Sequence, residues 1–313
     1  MMTPERREPP LPHDREAADR LRSRFGESSE DARRFAAGAD GAALLSAIGG
    51  NSPFLSELAL REPAVLLDAM AGPVTGDPAW APPLPPGETF LGAADRPVGR
   101  LRIGRYLETP TADAGLEPAV QTAFDDAARL LEELGHEVED VPPGLLGPDV
   151  LTAFERVWSL SATLLPVPPE RVGELRPLTR ELRARGLALS AQQAMEALTA
   201  LRLFARRFVP ATDRYDVLLA PVTTMTPRPL GWFDADGDGA ADFERQERYA
   251  AFTAVFNVTG QPAVSVPLHW TEDGLPVGTM LVGRPADEVT LLSLAAQLEA
   301  ARPWAHRHPP SWD

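Results

Sequence analysis

Apolar positions recur along this chain at two spacings, and the changes between them mark out its elements. Over residues 15–25, Ala17, Ala18, Leu21 and Phe25 share one face at the 3.6-residue spacing of a helix, with charges elsewhere. A second helix is expected at about 42–48, ending at Gly49-Gly50. Asn51-Ser52-Pro53 then reads as a helix start: a side-chain oxygen of Asn51 or Ser52 accepts orphan N–H groups, and Pro53 suits the first helical position. Phe54, Leu55, Leu58 and Ala59 form the buried stripe of that helix. Beyond residue 100 the two spacings interleave. Residues 101–106 read as a strand, 118–134 as an amphipathic helix closed by Gly135, and 137–141 as a second strand. That order favours a parallel crossover. Residues 150–208 are helical, and Ser190 with Gln193 makes a capping box for a long helix through Leu201 and Phe204. A short buried strand follows at 216–221, then a helix at 242–256. Strands at 263–270 and 277–284 flank a turn at Glu272-Asp273-Gly274, and the last helix spans 287–301. The expected fold is α/β, a mixed β-sheet flanked by helices, preceded by an all-helical N-terminal segment. The organisation is a helical block at 1–63 and a second block at 64–313.

Composition narrows the partners. All 30 basic residues are arginine, spread evenly, and lysine is absent; 45 acidic residues give a formal net charge of −15. A surface that negative repels phosphate backbones and anionic lipid heads, so neither nucleic acid nor membrane is an expected partner. With no cysteine, disulfides, thiolate metal sites and cysteine nucleophiles are excluded. No apolar run approaches the ~20 residues of a membrane span. The charged, proline-rich start is unlike a signal sequence, and the expected location is the cytoplasm.

Candidate chemistry is sparse. Asp234-Ala235-Asp236-Gly237-Asp238-Gly239 spells the first half of a calcium loop, but its twelfth position is Arg245 where a bidentate glutamate is needed, so a solvated acidic loop is expected. His306 and His308, two apart amid prolines, cannot share a helix face and read as a tail. No nucleophile elbow and no phosphate-cradling glycine loop is present. No metal and no cofactor is therefore expected.

Three phrases carry a family resemblance. Val65-Leu66-Leu67-Asp68-Ala69-Met70-Ala71-Gly72-Pro73 leads into Gly76-Asp77-Pro78-Ala79-Trp80-Ala81-Pro82-Pro83; Phe252-Thr253-Ala254-Val255-Phe256-Asn257-Val258-Thr259-Gly260-Gln261-Pro262-Ala263 follows later, then Gly274-Leu275-Pro276-Val277-Gly278. The stretch 64–313 resembles the C-terminal half of the amidase-signature family, hydrolases of carboxamides. Its opening looks most like the branch acting on 6-aminohexanoate cyclic dimer and related amides. The resemblance implies an acyl-serine reaction, in which the proton of a serine passes through a second serine to an unprotonated lysine, with an oxyanion hole of backbone amides. The base is indispensable, because a hydroxyl is a weak nucleophile until its proton is accepted, and arginine stays charged throughout the working range. These 313 residues hold neither a lysine nor a Gly-Gly-Ser-Ser run, and Ser52 reads as a helix cap. No catalytic residue is assigned, and the chain alone is expected to be inactive.

In the family, the loop after Phe252 shapes the acyl pocket. Asn257 and Thr259 would orient a substrate amide there, or else cap the 242–256 helix; Trp158 would line the pocket, or else sit in the core. The phrase at 44–63, with Gly49-Gly50-Asn51-Ser52-Pro53-Phe54-Leu55 at its centre, resembles the N-terminus of glutamine-synthetase adenylyltransferases. The nucleotidyl-transfer site of that family lies beyond this stretch and has no counterpart here. The expected partners are a small-molecule amide, taken up if another chain supplies the serines and lysine, and a second copy of the chain paired through its sheet. The alternatives are a chimeric gene product without catalysis and an interaction module.

Overall fold

The computed structural model describes residues 61–307 apart from 73–74, 78–80, 112–113, 148 and 305, together with Ala37. The helices expected at 15–25, 42–48 and from Asn51, with the cap at Ser52, and also His308, lie outside the described residues. The chain divides into two compact units, Met1–Pro97 with Leu292–Asp313, and Val98–Leu291.

In the first unit, helix α1 (Arg61–Met70) holds the start of the five-residue helix α2 (Phe90–Ala94). So short a helix has little ladder of its own. The Asp68 carboxylate accepts the N–H groups of Phe90 at 2.6 Å and Leu91 at 2.9 Å, and Thr89 Oγ1 accepts that of Gly92 at 2.9 Å. On the helix Glu288–Ala301, Ser293 donates to the carbonyl of Ala93 at 2.8 Å, among the buried Leu292, Leu294, Ala295 and Leu298.

The second unit is built on β1 (Arg102–Arg105), α3 (Pro118–Glu133), β2 (Glu137–Asp140), α4 (Val150–Thr163), α5 (Pro177–Ala188), α6 (Ala191–Thr212), β3 (Val217–Pro221), α7 (Gly239–Tyr249), α8 (Thr253–Thr259), β4 (Ala263–Trp270) and β5 (Pro276–Gly283). The sheet order is β2-β1-β3-β5-β4. Strand β1 runs parallel to β2 and β3, and β5 runs antiparallel to β3 and β4, so the mixed sheet and the parallel crossover are both present. Helix α3 packs on β3, β4 and β5, with Pro118 in its first turn and Gly135, at φ 95°, just past its end. On the opposite sheet face, Leu218, Ala220, Met280 and Val282 meet Phe204 and Phe208 of α6 and Phe256 of α8. The alternation along β3 and β5 sends neighbouring residues to the two helical layers.

Two boundaries differ from expectation. The single helix expected at 242–256 is two helices, α7 and α8, and α7 begins earlier, at Gly239, because Asp238 accepts the N–H of Ala240 at 2.9 Å. The break has a distant cause. Thr224, fully buried beyond β3, donates its N–H to the Tyr249 carbonyl at 3.0 Å and its hydroxyl to the Arg248 carbonyl at 2.6 Å. Those two carbonyls would otherwise accept the N–H groups of Phe252 and Thr253 in a continuing helix. Helix α6 also runs past Phe208 and through Pro210 to Thr212, whose hydroxyl donates to the Phe208 carbonyl at 3.1 Å.

Helices α4 and α5 approach closely at Gly186. A Cβ there would lie 2.3 Å from the Ser159 carbonyl oxygen, on backbone that cannot step aside. Arg183, one turn earlier, donates through Nη1 to the carbonyls of Ala162, Thr163 and Leu165 at the end of α4. Gly186→Ala would gain up to ~1 kcal/mol of helix propensity, but forcing the helices apart costs about 1–3 kcal/mol. A lower urea midpoint is expected, while Gly115→Ala, where a Cβ meets nothing within 4 Å, leaves it nearly unchanged. Equal midpoints for the two variants would show that α4 and α5 are not held by this contact.

Candidate functional site

Helices α4, α5, α6, α7 and α8 line an open cleft of about 1410 Å³. Trp158 of α4 lines it, half-buried, with Phe154 at 5.9 Å and Phe243 of α7 at 5.3 Å between ring centroids. Leu201 of α6 and Val258 of α8 add aliphatic wall. Helix α8 anchors Val255 and Phe256 in the core and turns Asn257 outward, so that the Asn257 side chain is exposed in the cleft wall. Thr259 is not part of the lining. Its hydroxyl is 3.4 Å from the Phe256 carbonyl, beside Gly260, which ends α8 at φ 69°. Of the three residues singled out from sequence, the structure thus brings Trp158 and Asn257 to one cavity and leaves Thr259 at a helix end.

The strongest electrostatic feature of the cleft was not foreseen. Glu247 of α7 lines it and meets Glu155 of α4. Burial pushes the Glu247 carboxyl up, the hydrogen bond and charge of Glu155 push it further, and Arg185 pulls the other way, leaving it at about 8. Two carboxyl groups can share a hydrogen bond when one keeps its proton, which is what this environment favours near neutrality. Glu247 Oε1 is buried without a hydrogen-bond partner. Arg185 is itself held by Glu181 at 2.7 Å and lies 4.7 Å over the Phe243 ring. A helical period reveals each glutamate only as one more polar position, and their meeting depends on how α4 and α7 pack.

Arg202 and Arg206, one helical turn apart on α6, also line the cleft, both exposed. In the acidic loop before α7, Asp234 pairs with Arg176, Asp236 pairs with Arg245, and Asp238 caps the helix. The residue in the twelfth position of the calcium-like spelling is thus a cation bound to one of the carboxylates a metal would need. Among the described residues, no three His, Cys, Asp or Glu side chains are grouped to hold a metal ion.

Fold and cleft together define an α/β protein with an open cleft between helices on one side of a mixed sheet. The chain belongs to the Amidase family, whose model matches residues 58–292. It is 32% identical over 272 residues to the 6-aminohexanoate-cyclic-dimer hydrolase of Pseudomonas sp. (strain NK87), covering 80% of this chain and 53% of that protein. Against the enzyme of the same name from Paenarthrobacter ureafaciens the identity is 32% over 268 residues, with coverage of 80% and 53%. The solved structure of 6-aminohexanoate cyclic dimer hydrolase complexed with substrate superposes with a TM-score of 0.71 at 27% identity, over 82% of this chain and 56% of that one. The chain spans about half the length of the curated relatives it matches. No helix among the described residues is long and apolar enough to cross a membrane.

Two measurements check the electrostatics. Because the folded Glu247 value is raised, its contribution to stability is fully present below the ordinary value of 4.5 and is lost as pH rises through about 8. Glu247→Gln stays neutral, so its stability relative to the parent should increase from about pH 5 to about pH 9, by roughly 1–2 kcal/mol after allowance for solvent screening. Urea midpoints at the two pH values read this, and a difference that does not move with pH would show that no proton is shared. Calorimetric titration with calcium should reveal no site tighter than ~10⁻⁴ M; micromolar binding lost in Asp236→Ala would overturn the ion-pair account of the loop.

Proposed function

We propose that these residues form the substrate-binding half of an amide hydrolase, which carries out its family's acyl-serine reaction on a linear or cyclic carboxamide when the serines and the lysine are supplied from outside them. The observation that carries this reading is the conjunction of a cleft walled by Trp158 and Asn257 with a sequence that lacks lysine altogether. Without a base to accept a serine proton the chemistry does not start, and guanidinium groups cannot serve. The Asn257 carboxamide offers both a donor and an acceptor to a substrate amide, and Trp158 with Leu201 covers the hydrocarbon beside it. At about 1410 Å³ the cleft exceeds the ~300–1,000 Å³ of an ordinary small-molecule pocket. The surplus leaves room for a catalytic loop.

The same reading places the protein in the cytoplasm and makes a complementing chain, or a second copy paired through the sheet, its partner. The 1–63 segment is then an adenylyltransferase-like helical module without transferase activity, available for contact with another protein. A second reading, a chimeric gene product without catalysis, is favoured by the resemblance of 44–63 to a family unrelated to the rest. Neighbouring reading frames separate the two: a fragment bearing lysine and Gly-Gly-Ser-Ser supports complementation, and a truncated adenylyltransferase supports rearrangement.

The purified chain is expected to leave simple amides and 6-aminohexanoate cyclic dimer intact, and to gain turnover when a polypeptide carrying the missing serines and lysine is added. Trp158→Ala should raise KM in the complemented enzyme by about tenfold, as expected for removal of a half-buried aromatic wall. Turnover by the chain alone, abolished in Ser52→Ala, would overturn the proposal.

A further inference from the structure

We propose that Arg202 and Arg206 form a carboxylate-binding site in the wall of the cleft, so that the amide it receives also carries a free carboxylate group. The inference rests on the reading of the cleft as an amide site and adds the second functional group of the ligand. The two residues are four apart on α6 and therefore share a face, with Cβ atoms about 6 Å from each other. Both are exposed, both line the cleft, and neither has a hydrogen bond or an ion pair among the described residues. Like charges at this spacing weaken a helix.

Among the described residues Arg156, Arg207 and Arg248 are likewise unpaired, but of these five arginines it is Arg202 and Arg206 that line the cleft. The third arginine of the lining, Arg176, is committed to Asp234, and around the cleft Arg185 is held by Glu181, Arg245 by Asp236, and Arg183 by the carbonyls that end α4. The acids that line the cleft are committed as well. Asp234 faces Arg176, Asp242 accepts from Gln246 at 3.4 Å, and Glu247 is turned to Glu155. No side chain of the cleft thus neutralises the two arginines. A planar guanidinium presents a fork of donors that matches the two oxygens of a carboxylate. Leu198, Leu201 and Ala205, on the same helix, line the cleft beside them and suit the hydrocarbon of a ligand that is charged at one end.

The test is calorimetric titration of the full chain, at low salt, with adipamate, which bears one primary amide and one carboxylate, and with adipamide, which bears two amides and no charge. Adipamate should bind at least about tenfold more tightly, as hydrogen bonds to charged groups imply. The preference should vanish in Arg202→Gln/Arg206→Gln with adipamide affinity unchanged, and shrink in each single variant, which keeps the test available if the double variant does not fold. Trp158→Ala should weaken both compounds alike. Equal affinities in the parent, or a preference that survives in the double variant, would overturn the carboxylate site and leave the amide cleft standing. Inorganic phosphate bound as tightly as adipamate would overturn it too, by revealing a general anion site. Failure of both compounds to bind the parent would overturn the amide reading of the cleft and this inference with it.

Discussion

Strand β3 has no exposed side. All five of its residues are buried, with β1 parallel along one edge and β5 antiparallel along the other, and the direction of the sheet changes there. A strand closed on both faces and both edges must be followed by a segment that satisfies polar groups elsewhere, and residues beyond β3 do so in both helical layers. The Thr224 carbonyl accepts the N–H of Glu117 at 2.9 Å, and the Glu117 carboxylate accepts the N–H of Thr226 at 2.9 Å and pairs with Arg228. Burial alone would push that carboxyl up, but the Thr226 N–H and hydroxyl and the Arg228 guanidinium hold it below the usual range. Thr224 reaches the other way, to the end of α7. One short segment therefore sets the start of α3 and the wall of the cleft against the same strand.

What the sequence made legible follows from the range of the forces involved. Strands β1 and β2, helix α3 between them, and the capping box at Ser190 and Gln193 are decided within a few residues, and they lie where the apolar spacing puts them. The split between α7 and α8 could not be read, because the groups that take the carbonyls of Arg248 and Tyr249 belong to Thr224, 24 and 25 residues away. The site divides in the same way. Trp158 and Asn257 stood out by residue type and by family phrase, whereas Glu155 and Glu247 looked like ordinary charged helix positions. Thr259 showed the same spelling as Asn257 but falls on the side of α8 that turns away from the cavity.

The cleft holds like charges side by side as well as an opposite pair. Elsewhere arginines and carboxylates pair across elements, as at Arg102 with Glu139 and Arg105 with Asp125. In the cleft Asp234 pairs with Arg176 in the same way, but Glu247 faces Glu155 and Arg202 stands with Arg206. A wall of this kind is polar without being neutralised, and a ligand entering it meets donors and a protonated acid at separate places on an apolar lining. That separation would orient a molecule with unlike ends.

The carboxyl pair has a further consequence for the charge of the molecule as a whole. Lysine and cysteine are absent, and the arginines keep their charge at any working pH. Burial pushes the Tyr106 and Tyr215 phenols above their ordinary range. Among the described residues, Glu247 is the carboxyl pushed up into the mildly alkaline range, to about 8. A ligand that fills the cleft beside this carboxyl would therefore announce itself in the surrounding solution as a proton released or retained.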